Sequence, residues 1–191
     1  RDSSTSRGLG DVYKRQALAQ MLYEGIEIPG HGHVGLITYM RTDSTRISNE
    51  MIKQVRPYIE RVYGKDYLPP KPNVYARGKD SQDAHEAIRP TNLQFAPNML
   101  AAVLSRDQLR LYTLIWNRFL ASQMAPQISQ ATNAVLQSGI YTLRATGTQV
   151  LFDGFTVLRT VKEKKQDNEE LPLLPALHKG HTVLNLSLIH I

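Results

Sequence analysis

The chain has 191 residues, of which 41% are hydrophobic and 21% charged, a size and composition that suit one globular domain or two small ones. It has no cysteine, which excludes disulfides, cysteine-bound zinc and thiol nucleophiles. The formal net charge is +6, and this basic balance indicates an anionic partner, with nucleic acid first. No apolar run approaches the length of a membrane span, so we predict no membrane partner.

The two ends of the chain differ from the middle in composition and in periodicity. Residues 1–16 are rich in Ser, Gly and Arg without periodicity, which predicts a disordered or foreign tail. Residues 17–28 are predicted to hold the end of a helix that Gly25 terminates. Residues 187–191 also lack a pattern that continues the chain before them. These ends predict that the chain is a fragment.

The middle of the chain is first helical and then β-rich. Ser48 is predicted to cap one helix, and Ser105 with Gln108 forms a capping box before a second, longer helix. That second helix should end ahead of Pro126. After Pro126, β-rich runs separated by glycine-bearing turns predict strands. The pattern indicates an α+β fold class.

The most unusual stretch is "VGLITYMRTDSTRIS", residues 34–48, in which Tyr39, Arg41 and Asp43 follow an apolar run at two-residue steps. In an extended segment alternate side chains face one side, so these three are predicted to converge on one cleft. Taken singly, each has a structural explanation: a core tyrosine, a surface arginine and a turn aspartate.

Together the three side chains suit attack on a phosphate. A phenol has a pKa of about 10, so ionising it at pH 7 costs about 4 kcal/mol, and a neighbouring guanidinium lowers that cost. The guanidinium of Arg41 would also grip a phosphoryl group by two hydrogen bonds. Asp43 would orient the arginine or supply a proton to the leaving oxygen. The sequence therefore predicts Tyr39 as a nucleophile at a phosphorus centre.

A second motif, "DAHEAIRPT", places His85 close to Glu86 and Arg89 in a short segment between two breakers. His85 is predicted to hydrogen-bond a phosphate or to hold Asp43 in place, although a lone histidine at such a turn is more often a capping residue. Four residues are predicted to contact DNA: Arg41, Arg46, His85 and Arg89.

A third feature is the sequence "HGH", in which His31 and His33 precede Tyr39. Paired histidines near a tyrosine are typical of metal-dependent relaxases. The glycine between them and the Pro/Gly turn around them favour a surface loop instead. The relaxase alternative requires both histidines to face Tyr39.

The segments "GLITYMRTDSTRIS" and "DAHEAIRPT" together resemble bacterial DNA topoisomerase I, a type IA topoisomerase family. The tyrosine and histidine lie 46 residues apart, from 39 to 85. "QMLYEGI", "YTLRATGTQVLFDGF" and "LPLLPALHKG" resemble the flanking parts of the family, so the resemblance covers residues 17 to 186. It implies an ATP-independent isomerase that cleaves single-stranded DNA through a 5′-phosphotyrosyl link, with Tyr39 as nucleophile, Arg41 on the scissile phosphate, and Asp43 and His85 in support.

The resemblance also implies an architecture. Residues 29–126 would form a mainly helical, helix-turn-helix-like nucleophile domain. The flanks, 17–28 and 127–186, would belong to a β-rich arch or hinge domain, and residues 187–191 match nothing in the family.

The resemblance further implies partners and a setting. Mg²⁺ would act in the intact enzyme, with its ligands on a domain absent from this chain, so the fragment alone would be inactive. The enzyme would be a cytoplasmic, nucleoid-associated monomer that meets DNA and its own remaining domains. The rival hypothesis is a non-catalytic DNA-binding module that keeps Tyr39 in the core.

Overall fold

The structure, a computed structural model, describes residues 3–75, 85–159, 174, 178–180 and 182, with the backbone alone for residues 3–11. The chain divides into two compact units. The first consists of residues 1–126 and 154–158, and the second of residues 127–153 and 159–191. The described helices lie in the first unit, and a long β-hairpin lies in the second.

The first unit contains three helices and a small antiparallel sheet: α1 Ser3–Glu24, β1 Ile26–Ile28, β2 Gly32–Val34, α2 Asn49–Tyr63 and α3 Arg106–Gln123. Short 3-10 turns occur at Lys65–Tyr67 and Gly154–Leu158. None of the helices in the described part of the chain is both long and apolar enough to cross a membrane. The mixed α+β class predicted from the sequence is confirmed.

The N-terminal segment differs from the predicted disordered tail, because α1 begins at Ser3 and runs without a break to Glu24. An ion pair between Lys14 Nζ and Asp107 Oδ2, at 2.5 Å, joins this helix to the first turn of α3. That bond to Lys14 holds the pKa of the Asp107 carboxyl below its usual range. Gly25 ends α1 with φ +128°, and its N–H donates to the Met21 carbonyl at 3.1 Å.

The two predicted helix caps are both present. The Ser48 side chain accepts a hydrogen bond from the Met51 N–H at the start of α2. At the start of α3, Ser105 and Gln108 form the reciprocal capping box. Such caps satisfy N–H groups that have no partner inside the helix, which is why short local patterns located these helix starts.

The hydrophobic core of the first unit forms where α2 and α3 meet the end of α1 and the segment after β2. Its fully buried side chains include Leu22, Leu36, Val55, Ile59, Tyr112 and Leu120. Tyr112 also makes a buried hydrogen bond: its hydroxyl donates to the Phe95 carbonyl at 2.8 Å. This bond pins the segment before α3 against the helix.

Replacing Tyr112 with Phe is expected to lower the free energy of unfolding by about 1–3 kcal/mol, because the buried Phe95 carbonyl loses its partner. Urea denaturation followed by the fluorescence of Trp116, the single tryptophan, measures this change. Tyr63→Phe is the matched control, since the half-buried Tyr63 hydroxyl makes no hydrogen bond to any residue that the structure describes. Equal stability of the two variants would contradict the assignment.

The same residue makes stability depend on pH. Burial raises the pKa of Tyr112, so the folded chain keeps this proton at a pH where an unfolded tyrosine, with a pKa of about 10, loses it. The stabilisation is therefore complete below about pH 10 and is lost as pH rises towards the folded-state pKa.

The second unit holds strands β3 (Ile128–Ser138) and β4 (Tyr141–Phe152), paired antiparallel from Ser138↔Tyr141 to Ile128↔Phe152. Gly139, with φ +58°, takes the first turn position, where a type II′ hairpin requires glycine. The strands predicted after Pro126 are confirmed up to residue 152. The next predicted strand begins instead as the 3-10 turn Gly154–Leu158 of the first unit. Most of residues 160–186 and all of 187–191 lie outside the described residues.

Candidate active site

The tyrosine segment and the histidine segment lie side by side, although Tyr39 and His85 are 46 residues apart in sequence. Ile37 and Pro90 form an antiparallel bridge. The Thr38 N–H donates to the Arg89 carbonyl at 2.9 Å, and the Thr91 N–H donates to the Leu36 carbonyl at 3.1 Å. Backbone pairing therefore brings the two sequence motifs into one site.

A side chain and a second backbone bond extend this pairing. The Thr38 hydroxyl donates to the Ala87 carbonyl at 2.7 Å and accepts from the Arg89 N–H at 3.0 Å. Further along, the Ala87 N–H donates to the Arg46 carbonyl at 2.8 Å. Contacts on both sides of Tyr39 thus fix the loop that carries it.

The end of α1 packs against the same segment. The Leu36 N–H donates to the Leu22 carbonyl at 2.7 Å. Gly35 permits this close approach, because a Cβ at that position would lie 2.7 Å from the Tyr23 carbonyl oxygen. The last turn of α1 therefore presents Tyr23 next to the predicted nucleophile.

Tyr39 is half-buried and lies outside the hydrophobic core. Its ring contacts the His85 ring with centroids 4.8 Å apart, and meets the Tyr23 ring edge-on at 5.5 Å. Tyr39 is therefore not the core residue that the rival hypothesis requires. Its partly exposed ring contacts two aromatic neighbours. His85 lies against the tyrosine, as a supporting role requires.

Arg41 and Asp43 are both exposed, and the strand geometry from which a shared cleft with Tyr39 was predicted is not present. Residues 39–48 are not a strand, so alternation does not govern their directions. Consecutive residues, Met40 and Arg41, line one cavity of about 460 Å³. The Asp43 carboxylate makes no hydrogen bond or ion pair with any residue that the structure describes.

Arg89, predicted to contact DNA, is already engaged within the protein. Its Nε donates to Glu86 Oε2 at 2.8 Å, and its Nη1 donates to the Pro90 carbonyl at 2.8 Å. The side chains of Arg89 and Glu86 are only 11% and 21% exposed. This arrangement stiffens the turn that carries His85. Arg46, in contrast, is exposed, and its guanidinium has no partner in the part of the chain that the structure describes.

His31 and His33 do not face Tyr39. The His31 ring packs edge-on against Phe95 at 5.2 Å. His33 lies beside Gly25, and its Nδ1 is 3.9 Å from Glu27 Oε2. Within residues 3–75 and 85–159, no three His, Asp or Glu side chains are grouped to hold a metal ion. The geometry that a relaxase requires is not found there.

Comparison with known proteins decides the family. A family model described as DNA topoisomerase matches residues 7–189. The chain belongs to the DNA topoisomerase family. DNA topoisomerase 1 of Campylobacter jejuni is 48% identical over 154 residues, which cover 80% of this chain and 22% of that relative. DNA topoisomerase 1 of Xylella fastidiosa is 45% identical over 184 residues, which cover 93% of this chain and 23% of that relative.

A solved relative supports the same conclusion. Full-length topoisomerase I from Thermotoga maritima matches with a TM-score of 0.64 and 42% identity, over 76% of this chain and 23% of that one. This topoisomerase chain therefore spans less than a quarter of the length of these relatives. The match to residues 7–189 includes both sequence motifs and reaches into the predicted N-terminal tail.

The structure places two further side chains beside the candidate residues that the sequence motifs do not mark. Tyr23 contacts the nucleophile candidate, and Ile88 lines the cavity beside Arg41. Both act through contacts between distant parts of the chain, and no short-range pattern marks either residue. The sequence shows only that Ile88 is an apolar residue three positions after His85.

Arg89 provides a direct test of how the histidine turn is built. Arg89→Gln is expected to lower the free energy of unfolding by about 1.5–3 kcal/mol, because the half-buried Glu86 carboxylate loses a charged partner. The control is Arg46→Gln, which alters an exposed guanidinium and should change stability by less than about 0.5 kcal/mol. Urea denaturation followed by Trp116 fluorescence measures both. If Arg89→Gln leaves stability unchanged, the Glu86–Arg89 pair is not structural.

Proposed function

We propose that this chain carries the nucleophile segment of a type IA DNA topoisomerase. The whole enzyme would cleave and rejoin single-stranded DNA through a 5′-phosphotyrosyl intermediate and relax negative supercoils without ATP. The observation that carries the proposal is the position of Tyr39: half-exposed, outside the core, and in ring contact with His85. Membership of the family supports it.

The proposed reaction exchanges one phosphodiester bond for another. The Tyr39 oxygen attacks the phosphorus of a phosphodiester, and the bond from phosphorus to the 3′ oxygen breaks. The phenol loses its proton, and the departing 3′ oxygen gains one. One phosphodiester to sugar is replaced by one phosphodiester to tyrosine, so the energy for rejoining is retained. After another strand has passed, the 3′ hydroxyl attacks the link and restores the DNA.

Three side chains would support this step. Arg41 is exposed and two residues from Tyr39, so its guanidinium can meet the negative oxygens of the attacked phosphate. His85 fixes the orientation of the phenol by ring contact and offers a ring nitrogen to a phosphate. Asp43 is exposed on the same loop, where it can orient an arginine or donate a proton.

We propose that Mg²⁺ acts in the whole enzyme. We expect any Mg²⁺ ligands on other segments of the enzyme, and the chain alone is expected to be inactive. The remaining partners in the proposal are single-stranded DNA and the other domains of a monomeric enzyme that acts on the bacterial chromosome in the cytoplasm.

The test uses a full-length chimera in which this chain replaces the matching segment of the Campylobacter jejuni relative, over the 154 aligned residues. The chimera is incubated with a single-stranded oligonucleotide labelled at its 5′ or its 3′ end, then denatured. A 5′-phosphotyrosyl link leaves the 3′ label on the protein and releases the 5′ label.

The unmodified relative, treated identically, is the control for the assay. Retention of the 5′ label on the chimera would assign the opposite polarity and contradict the proposal. So would the absence of any labelled chimera when the unmodified relative forms an adduct.

A further inference from the structure

The cavity beside Arg41 is made by four separate parts of the first unit. Its volume is about 460 Å³, within the range of about 300–1,000 Å³ that small-ligand pockets occupy. The residues that line it are Arg15, Gln16 and Ala19 of α1, Met40, Arg41, Ile88, and Leu111 and Ile115 of α3. None of them is Tyr39 or His85, so the cavity is separate from the ring contacts of the nucleophile.

The lining combines apolar and polar side chains: five of the eight are apolar, Arg15 and Arg41 carry guanidinium groups, and Gln16 carries an amide. An inorganic anion would use Arg41 and leave the apolar wall unused. A purely aliphatic ligand would use the wall and leave the guanidinium of Arg41 uncompensated. A nucleotide has both parts, a base with apolar faces and an attached phosphate. Unpaired bases bind in this way, on apolar side chains and on the plane of an arginine.

The cavity also lies within reach of the attacked phosphate. Tyr39 and Arg41 are two residues apart, so their Cα atoms are separated by at most about 7.6 Å, twice the spacing of about 3.8 Å between consecutive residues. Met40, between them, is part of the lining. The cavity therefore lies close enough to Tyr39 for a base next to an attacked phosphate to reach it.

Ile88 supports an occupant at this mouth. It is an apolar side chain with 40% of its surface exposed, and it stands on the turn that the Glu86–Arg89 pair stiffens. A ligand that packs its apolar face against Ile88 would remove this apolar surface from water. The rigid turn keeps the side chain in position before any ligand arrives.

We propose that this cavity holds one unstacked nucleobase of the single-stranded DNA, from a nucleotide next to the phosphate that Tyr39 attacks. The proposal rests on the function proposed above and adds a base-binding subsite to it. The base lies against Met40, Ile88 and α3, and the guanidinium of Arg41 spans the base and its phosphate. Cleavage then depends on the presence of a base at one fixed position.

Photocrosslinking tests the occupant directly. The chimera is mixed with a set of oligonucleotides, each carrying a single 4-thiothymidine at a different position, and irradiated. One position next to the cleavage site is expected to crosslink to the tryptic peptide of residues 111–118, which contains both Leu111 and Ile115, or to the peptide with Ile88. If crosslinks form only with other peptides, or with none, the proposal is overturned.

Abasic oligonucleotides supply a second readout. Loss of one stacked base costs about 1–3 kcal/mol, so removing the base at the crosslinking position should reduce the adduct yield at least about 5-fold. Ile88→Ala should reduce the yield on intact DNA and show less than about a 2-fold further loss with that abasic oligonucleotide. Val62→Ala, at an exposed site on α2, is the matched control and should keep the full abasic effect.

The outcomes separate this proposal from the proposed function. Crosslinking needs no cleavage, so a crosslink to residues 111–118 without any covalent adduct would refute the nucleophile assignment and leave the base site standing. A normal adduct with no abasic effect at any position would refute the base site alone. Full abasic sensitivity in Ile88→Ala would also overturn it, because the base would then be bound elsewhere.

Discussion

Replacing Tyr39 with Phe in the chimera is expected to reduce the covalent DNA adduct by a factor on the order of 10³ or more, to below detection, because the variant has no attacking oxygen. The expected effect is confined to chemistry. Among the described residues the Tyr39 hydroxyl makes no hydrogen bond, and its ring contacts to Tyr23 and His85 do not need it. DNA binding and the free energy of unfolding should therefore stay unchanged.

Tyr23→Phe is the matched control for this variant. Tyr23 lies in edge-on contact with Tyr39 and carries the same phenol, yet no arginine lies two residues after it, and it stands on a helix. The control should form the adduct at nearly the normal yield. A normal adduct in Tyr39→Phe would contradict the assignment of Tyr39 as nucleophile. So would loss of the adduct in Tyr23→Phe alone.

Replacing Arg41 with Ala is expected to slow adduct formation by about 10²–10³-fold, the loss typical of removing one group that stabilises charge in the transition state. Arg41 is exposed, so stability should change by less than about 0.5 kcal/mol. Arg41→Lys should fall between the two, because lysine keeps the charge but not the two-pronged hydrogen bonding. Single-turnover cleavage and urea denaturation measure the two quantities.

Arg46→Ala controls for loss of positive charge on the same loop. It removes an exposed guanidinium at a greater distance in sequence from Tyr39, so it should weaken DNA binding and leave the rate of cleavage at saturating DNA nearly unchanged. If Arg41→Ala cleaves normally, or if it mainly lowers the stability of the fold, the arginine has no role at the phosphate.

Local patterns located most of the helices. The caps at Ser48 and Ser105 act within three residues, so the sequence contains everything that sets them. The same holds for the β3–β4 hairpin, where β-rich runs and a glycine-bearing turn predicted the strands that the structure has. The motifs that carry Tyr39 and His85 predict a shared site, and the two rings are in contact in the structure.

Nonlocal contacts account for what the sequence did not yield. The two-residue spacing of Tyr39, Arg41 and Asp43 implies one face only in a strand, and after Ile37 the segment has no strand partner to keep it extended. The hydrogen bonds from Arg89 to Glu86 and to the Pro90 carbonyl depend on the folded turn, and no sequence pattern indicated them. The N-terminal helix is longer than composition predicted, with Lys14 bound to Asp107 of α3.

The central claim is that Tyr39 forms the covalent link to DNA, and peptide mass spectrometry tests it most directly. The chimera is reacted with a single-stranded oligonucleotide, denatured, trimmed with nuclease and digested with trypsin. Residues 16–41 form one tryptic peptide that carries both Tyr23 and Tyr39, so fragment ions must assign the position. We predict a nucleotide 5′-phosphate on Tyr39. A nucleotide on Tyr23 or on another peptide would contradict the account.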